Sequence, residues 1–159
     1  MLIPVFLYSL LTLLGSPAPP PAAGQASSLA LYQRLAKATG LTCTFSQLVT
    51  ATWTAGVAGA KVAPAQVKVT FSNINTDEGT AEADSRFGGA PIIVKAVNGY
   101  MHLMQMYGAG ALYTTTVIAK ETTQGRLRAV HTRHEHAEVT LPGFTSNPEM
   151  YLGDCAIVP

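Results

Sequence analysis

The order of hydrophobic and polar residues changes its period near position 40. Across 27–38 (SSLALYQRLAKA), Leu31 and Leu35 lie four apart with Tyr32 and Ala36 beside them, while Arg34 and Lys37 fall elsewhere on the helical wheel. That spacing predicts a short amphipathic helix with Ser27 or Ser28 as N-cap and Gly40 as terminator, packed across one end of the domain. From Leu41 onward, apolar residues recur at every second position among β-branched residues, aromatics and spaced glycines. The rest of the chain is therefore expected to be β.

Strands are predicted at 41–45, 67–72, 79–83, 92–97, 100–107, 112–119, 126–134 and 151–157. In 67–71 (VKVTF) apolar and polar residues alternate, as a sheet with one wet face requires. Asn98-Gly99 sits between two such runs and predicts a type I′ hairpin turn, in which both central residues need positive φ. Gly108-Ala109-Gly110 and Gln124-Gly125 mark two more tight connections, so four consecutive strands form an antiparallel meander. The segment 48–65 (LVTATWTAGVAGAKVAPA) suits a loose strand or a loop equally, and 73–78, 84–89 and 141–149 read as loops. The expected fold is all-β, an antiparallel meander of about eight strands forming a small barrel or a sandwich, with one short N-terminal helix. Strand periodicity does not choose between barrel and sandwich.

One strand departs from simple alternation. Met101, Leu103, Gln105 and Tyr107 alternate with His102, Met104 and Met106, so both of its faces are apolar. It reads as a central strand, buried on one side and covered on the other by a loop or the helix. Core packing is favoured over a methionine-lined pocket for an apolar ligand.

The chain's 159 residues are 48% hydrophobic and 12% charged, with a formal charge of +1, which suits one folded domain and argues against disorder. So small a charge gives no drive toward nucleic acid or an anionic membrane surface. Residues 2–14 are nearly all apolar but run into Ser16 and the prolines Pro17, Pro19, Pro20 and Pro21. That stretch is too short to span a bilayer. Gly24 and Ala26 then supply the small residues of a signal-peptidase site, so 1–26 reads as a cleaved secretory signal and 27–159 as a single β-domain. No Lys or Arg precedes the apolar run, and the terminal amine alone supplies the positive end. A misassigned start and an uncleaved anchor are the competing readings, whereas no nearby cysteine supports a lipid anchor. The expected location is periplasmic or secreted, with no stable membrane span after cleavage. In that setting the two cysteines, Cys43 and Cys155, read as a disulfide joining the beginning and end of the folded region.

Candidate chemistry is sparse. Three of the four histidines lie in His131-Thr132-Arg133-His134-Glu135-His136. On extended backbone His134 and His136 share a face and could grip zinc or copper if Glu138 or His102 joined them, while His131 faces the other way. The alternative, which the sequence favours, is a solvated strand end whose charges discourage edge pairing. Arg126, Arg128 and Arg133, with Lys120, could form a patch for a carboxylate or phosphate, but Arg128 and Arg133 point to opposite faces. A solvated sheet face accounts for them better. Trp53 is expected in the core rather than on a carbohydrate platform. There is no G-x-S-x-G, no H-E-x-x-H and no phosphate-cradling glycine loop, so no catalytic residue and no cofactor is assigned.

Residues 127–134 (LRAVHTRH), the Tyr151-Leu152-Gly153-Asp154-Cys155 close and the 41–45 strand (LTCTF) resemble small exported bacterial proteins of unknown function. The resemblance implies an extracytoplasmic β-domain with Cys43 and Cys155 paired, and carries over no activity or ligand. The first expectation is a non-enzymatic, disulfide-closed binding or envelope-associated module, its partner a small ligand or an envelope protein. The alternative is a lipocalin-like carrier of a small apolar ligand or metal ion. A metal-assisted hydrolase stands third.

Overall fold

A computed structural model describes residues 23–85, 88–108, 110–135 and 147–159. A helix, α1 (Ala23–Ala36), precedes eight strands: β1 (Gly40–Thr54), β2 (Val57–Asn75), β3 (Thr80–Ser85), β4 (Gly88–Val97), β5 (Tyr100–Met106), β6 (Leu112–Glu121), β7 (Leu127–His134) and β8 (Glu149–Val158). Each strand pairs antiparallel with the next, and β8 returns to β1, so the sheet closes into a barrel. Closure decides the question that strand periodicity left open. Both residues of Asn98-Gly99 have positive φ, 48° and 81°, as the hairpin signal predicted.

Several boundaries differ from expectation. The helix starts at Ala23, ahead of the predicted Ser27 or Ser28 cap, and ends at Ala36. Gly40 is not its terminator but the first residue of β1, where an added Cβ would lie 2.9 Å from the Val158 side chain. The ambiguous segment 48–65 is neither loose nor a loop: β1 and β2 run through it as one long hairpin, paired from Gln47 opposite Pro64 to Thr54 opposite Val57. Its turn, Ala55-Gly56, has φ of 50° and 81°, the same conformation as Asn98-Gly99 but with an alanine that sequence rules do not flag. Similarly, β2 continues to Asn75 before turning, and Asn75 Oδ1 accepts hydrogen bonds from the Asp77 and Glu78 amides at 3.1 Å each. The expected loop at 84–89 is largely strand on both sides of 86–87, and positions 141–146 lie outside the described residues.

The hairpin reaches past the barrel wall as an arm, and this corrects the placement of Trp53. Pairing of β1 with β8 stops at Thr50 opposite Glu149. Trp53 lies beyond that point and is 55% exposed. A side chain on a ribbon that has left the barrel has no core to enter.

At the end from which β1 departs, α1 packs against β5 and β6. Leu35 is buried and belongs to the same apolar cluster as Leu41, Phe71, Ile74, Met101, Val117 and Leu127. Arg34 reaches Glu121 at 3.2 Å, and Thr76 donates to the Ala36 carbonyl at 3.0 Å, tying the helix to two turns of that end. The methionine strand is core on its inner side, where Met101 and Leu103 are buried. Its outer side is not covered as expected, since Met106 is 79% exposed. The closed barrel already supplies the core for the inner row, and the helix lies over an end of the barrel rather than over that outer face.

Cys43 and Cys155 face each other across the β1/β8 seam, with Cα atoms 3.9 Å apart, and form a disulfide over a separation of 112 residues. The bond locks the first strand to the last where the ring closes. Beside it β2 carries an extra residue opposite Ser46, so the register shifts between Phe45 and Gln47. Only glycine fits across from Phe45, because a Cβ on Gly153 would sit 2.7 Å from the Phe45 Cα and against the Thr44 carbonyl.

Candidate functional site

Strand alternation sorts the inward side chains into rungs. Nearest the helix, Leu41 stands in register with Phe71 and Ile157; then come Leu127, Cys155, Cys43 and Val69, followed by Val117, Ala129, Gly153, Phe45 and Val67. These rungs are apolar. The two rungs toward the other end read Thr115, His131, Tyr151, Leu48 and then Tyr113, Arg133, Glu149, Thr50. Polarity therefore rises abruptly toward the mouth, on the wall made by β6, β7 and β8.

These polar residues hold one another. Thr115 Oγ1 and His131 Nδ1 are 2.8 Å apart, both buried. Arg133 Nε donates toward His131 Nε2 at 3.4 Å, which leaves the imidazole proton on Nδ1, facing Thr115. Burial, and then the nearby Arg133 charge, lowers the His131 pKa to about 4, so the ring is neutral at physiological pH. The Arg133 guanidinium lies 5.3 Å from the Tyr113 ring centre and 5.1 Å from that of Tyr151, within cation–π range of both. Its Nη1 is 3.9 Å from Glu149 Oε2, a loose ion pair. The Tyr151 hydroxyl donates to Glu149 at 2.6 Å and that of Tyr113 donates to Glu135 at 2.7 Å. Burial and the glutamate acceptor push Tyr151 up to about 12, and the same causes raise Tyr113. Tyr107 packs edge-on against Tyr113 at 4.9 Å.

The facing wall is built differently. Along β2, β3 and β4 the inward positions are apolar: Ala65, Val67 and Val69 on β2, Ala81 and Ala83 on β3 with Ala83 opposite Phe71, and Ala90, Ile92 and Val94 on β4. The polar inward groups, tyrosines, an arginine and two carboxylates, thus belong to the other side of the barrel. Among the described residues, no buried polar side-chain atom lacks a hydrogen-bond partner.

The sequence-level candidates are dispersed. His134 is exposed on the outside of β7, opposite Leu112, while His136 and Glu138 lie outside the described residues. His102, offered as a third ligand, is on the outer face, 3.0 Å from Thr116 Oγ1 and stacked on Tyr100. No cluster of three His, Cys, Asp or Glu side chains able to hold a metal occurs among the described residues. The three arginines part company. Arg126 is taken by Asp154, Thr44 and the Thr42 carbonyl, Arg128 points outward, and Arg133 points into the mouth. Sequence reading passed over the inward set of His131, Arg133, Tyr113, Tyr151 and Glu149. The signal available was the same period of two that separated His131 from His134, continued to Arg133 and matched to a tyrosine in each neighbouring strand.

Comparison of the chain with protein-family models, with curated proteins and with solved structures found no match. The functional reading rests on the site alone.

Proposed function

We propose that this protein is an exported, non-enzymatic barrel that binds a small ligand at the mouth, with an anionic head against Arg133 and an apolar body against the apolar wall of β2, β3 and β4. The observation that carries the reading is the contrast between the two inner walls. One offers donors and acceptors in fixed positions, and the other is apolar throughout. Small-molecule sites have this character: a mainly apolar lining with a few oriented polar groups, often in the mouth of a β-barrel. Binding suits the groups better than catalysis, because the buried hydroxyl–imidazole pair of Thr115 and His131 is closed by its own hydrogen bond.

Export draws support from the apolar leader at 2–14, the small residues Gly24 and Ala26, and a disulfide that needs an oxidising compartment. Cleavage after Ala26 would leave the part of α1 that carries Leu31 and Leu35. Titration with 1-anilinonaphthalene-8-sulfonate, an aromatic body with an anionic head, tests the site. Saturable one-to-one binding by the folded protein, lost in Arg133→Gln and weakened in Tyr151→Phe, is the expected result. Absence of saturable binding, or binding indifferent to both substitutions, would overturn the proposal.

A further inference from the structure

The arm of β1 and β2 is the least buried regular structure in the protein: Val57 is 71% and Val62 is 65% exposed, beside Trp53. Its two faces differ. Register and alternation place Val49 with Val62, Ala51 with Ala60 and Trp53 with Ala58 on one face, which carries no charge. Thr50 with Lys61 and Thr52 with Gly59 make the other, hydrophilic face. The apolar face continues onto the barrel wall through Met150 and Leu152, both exposed, which pair with Val49 and Gln47.

The backbone adds a second, independent feature. Among the described residues, no strand other than β1 pairs with β2 ahead of Phe71. Each remaining strand has a neighbour on both sides, although β4 meets β5 only from Ile93 to Val97, so the longest main-chain edge without a partner among the described residues belongs to the arm. A two-stranded ribbon is marginal in water, and three or more strands with an apolar face are needed for independent stability.

We propose that the arm pairs with the arm of a second copy, β2 against β2 in antiparallel register about a two-fold axis, to give a four-stranded ribbon. A second copy is the occupant that fits. Antiparallel pairing of a strand with itself satisfies both free edges at once and closes the assembly. On that face the residues paired across the new seam, Val62 with Val62 and Ala60 with Pro64, carry no charge and so no repulsion. The register with Val62 opposite Val62 of the second copy sets each Lys61 across from an alanine, Ala63, with the two Lys61 side chains diagonal rather than directly opposite, and places Lys68 well away from both. The merged face would then carry two tryptophans and a continuous row of valines and alanines.

A charge-swap pair of variants, Val62→Lys and Val62→Glu, tests this by sedimentation equilibrium of the purified, disulfide-bonded protein, with circular dichroism to verify that each is folded. The parent should be a dimer at micromolar concentration. Each variant alone should dissociate at least about tenfold more readily, since like charges would stand directly opposite, and an equimolar mixture should recover the dimer. A monomeric parent would overturn the proposal. So would a dimer that neither substitution weakens, or two weakened variants that do not recover on mixing. Should one variant fail to fold, Val62→Cys provides the second arm, because a disulfide between the two introduced thiols, formed across the dimer under mild oxidation, is expected only for this register, and its absence also counts against it.

Discussion

The helix-side half of the barrel and the mouth are built from the same eight strands, yet they handle their interior in opposite ways. Near α1, inward positions are filled by Leu35, Leu41, Met101, Leu103, Val117 and Leu127, all buried, and the seam is stapled by Cys43 and Cys155. At the mouth, inward positions on β6 to β8 carry ionisable and aromatic groups whose hydrogen bonds are made with one another. In the first half the packing of apolar side chains stabilises the fold. In the second, polar groups are held in place by hydrogen bonds to one another, as the binding site proposed above requires of its scaffold. The difference teaches that the two halves of one barrel rest on different interactions.

If that division is right, the largest losses should come from the helix-side half. Replacing both Cys43 and Cys155 with alanine should lower stability by as much as roughly 4 to 5 kcal/mol, the loop-entropy value for so long a separation, read from the urea midpoint. Leu103→Ala, which empties part of the same core, should cost about 2 to 5 kcal/mol, and Gly153→Ala, which forces a Cβ against the Thr44 carbonyl, about 1 to 3 kcal/mol or more. Were Leu103→Ala to leave the urea midpoint in place, the claim that this half carries the fold would be wrong.

His131 tests the boundary between the halves. Its folded pKa, about 4, lies below the usual 6.5, so the unfolded chain binds this proton first as pH falls. Stability is therefore full above about pH 6.5 and declines toward pH 4, by an amount on the order of 3 kcal/mol if no other group offsets it. In His131→Gln this slope should vanish from urea midpoints measured across that window. An unchanged slope would mean that other groups carry it.

The mouth should respond weakly in stability and strongly in binding. Tyr151→Phe removes one hydroxyl from Glu149 and should cost about 1 kcal/mol or less, while affinity for the anilinonaphthalene probe falls. Equal losses in stability from Tyr151→Phe and Leu103→Ala would erase the distinction between the halves.

Much of the barrel could be read from residue order because a half-buried strand must alternate, and all eight predicted strands are present. Reading failed where that physical cause is absent. On the arm no core selects apolar residues on one face, so 48–65 lost its period and Trp53 was placed inside. The histidine pair drew attention because its members are close in sequence, whereas the mouth draws on Tyr113, Arg133, Glu149 and Tyr151 from three strands, brought together only by register.

Residue order by itself determined the strands, the Asn98-Gly99 turn and the presence of a terminal helix, because these depend on alternation and on φ preferences within a few residues. It also placed the two cysteines at the extremes of the β-region. Only the tertiary structure decided that the meander closes, that Cys43 and Cys155 meet at its seam, and that His131 and Arg133 face inward among tyrosines while His134 faces out. Those outcomes depend on which strand lies beside which, and on the register in which they pair. A shift of one residue would have turned every one of those side chains to the opposite face.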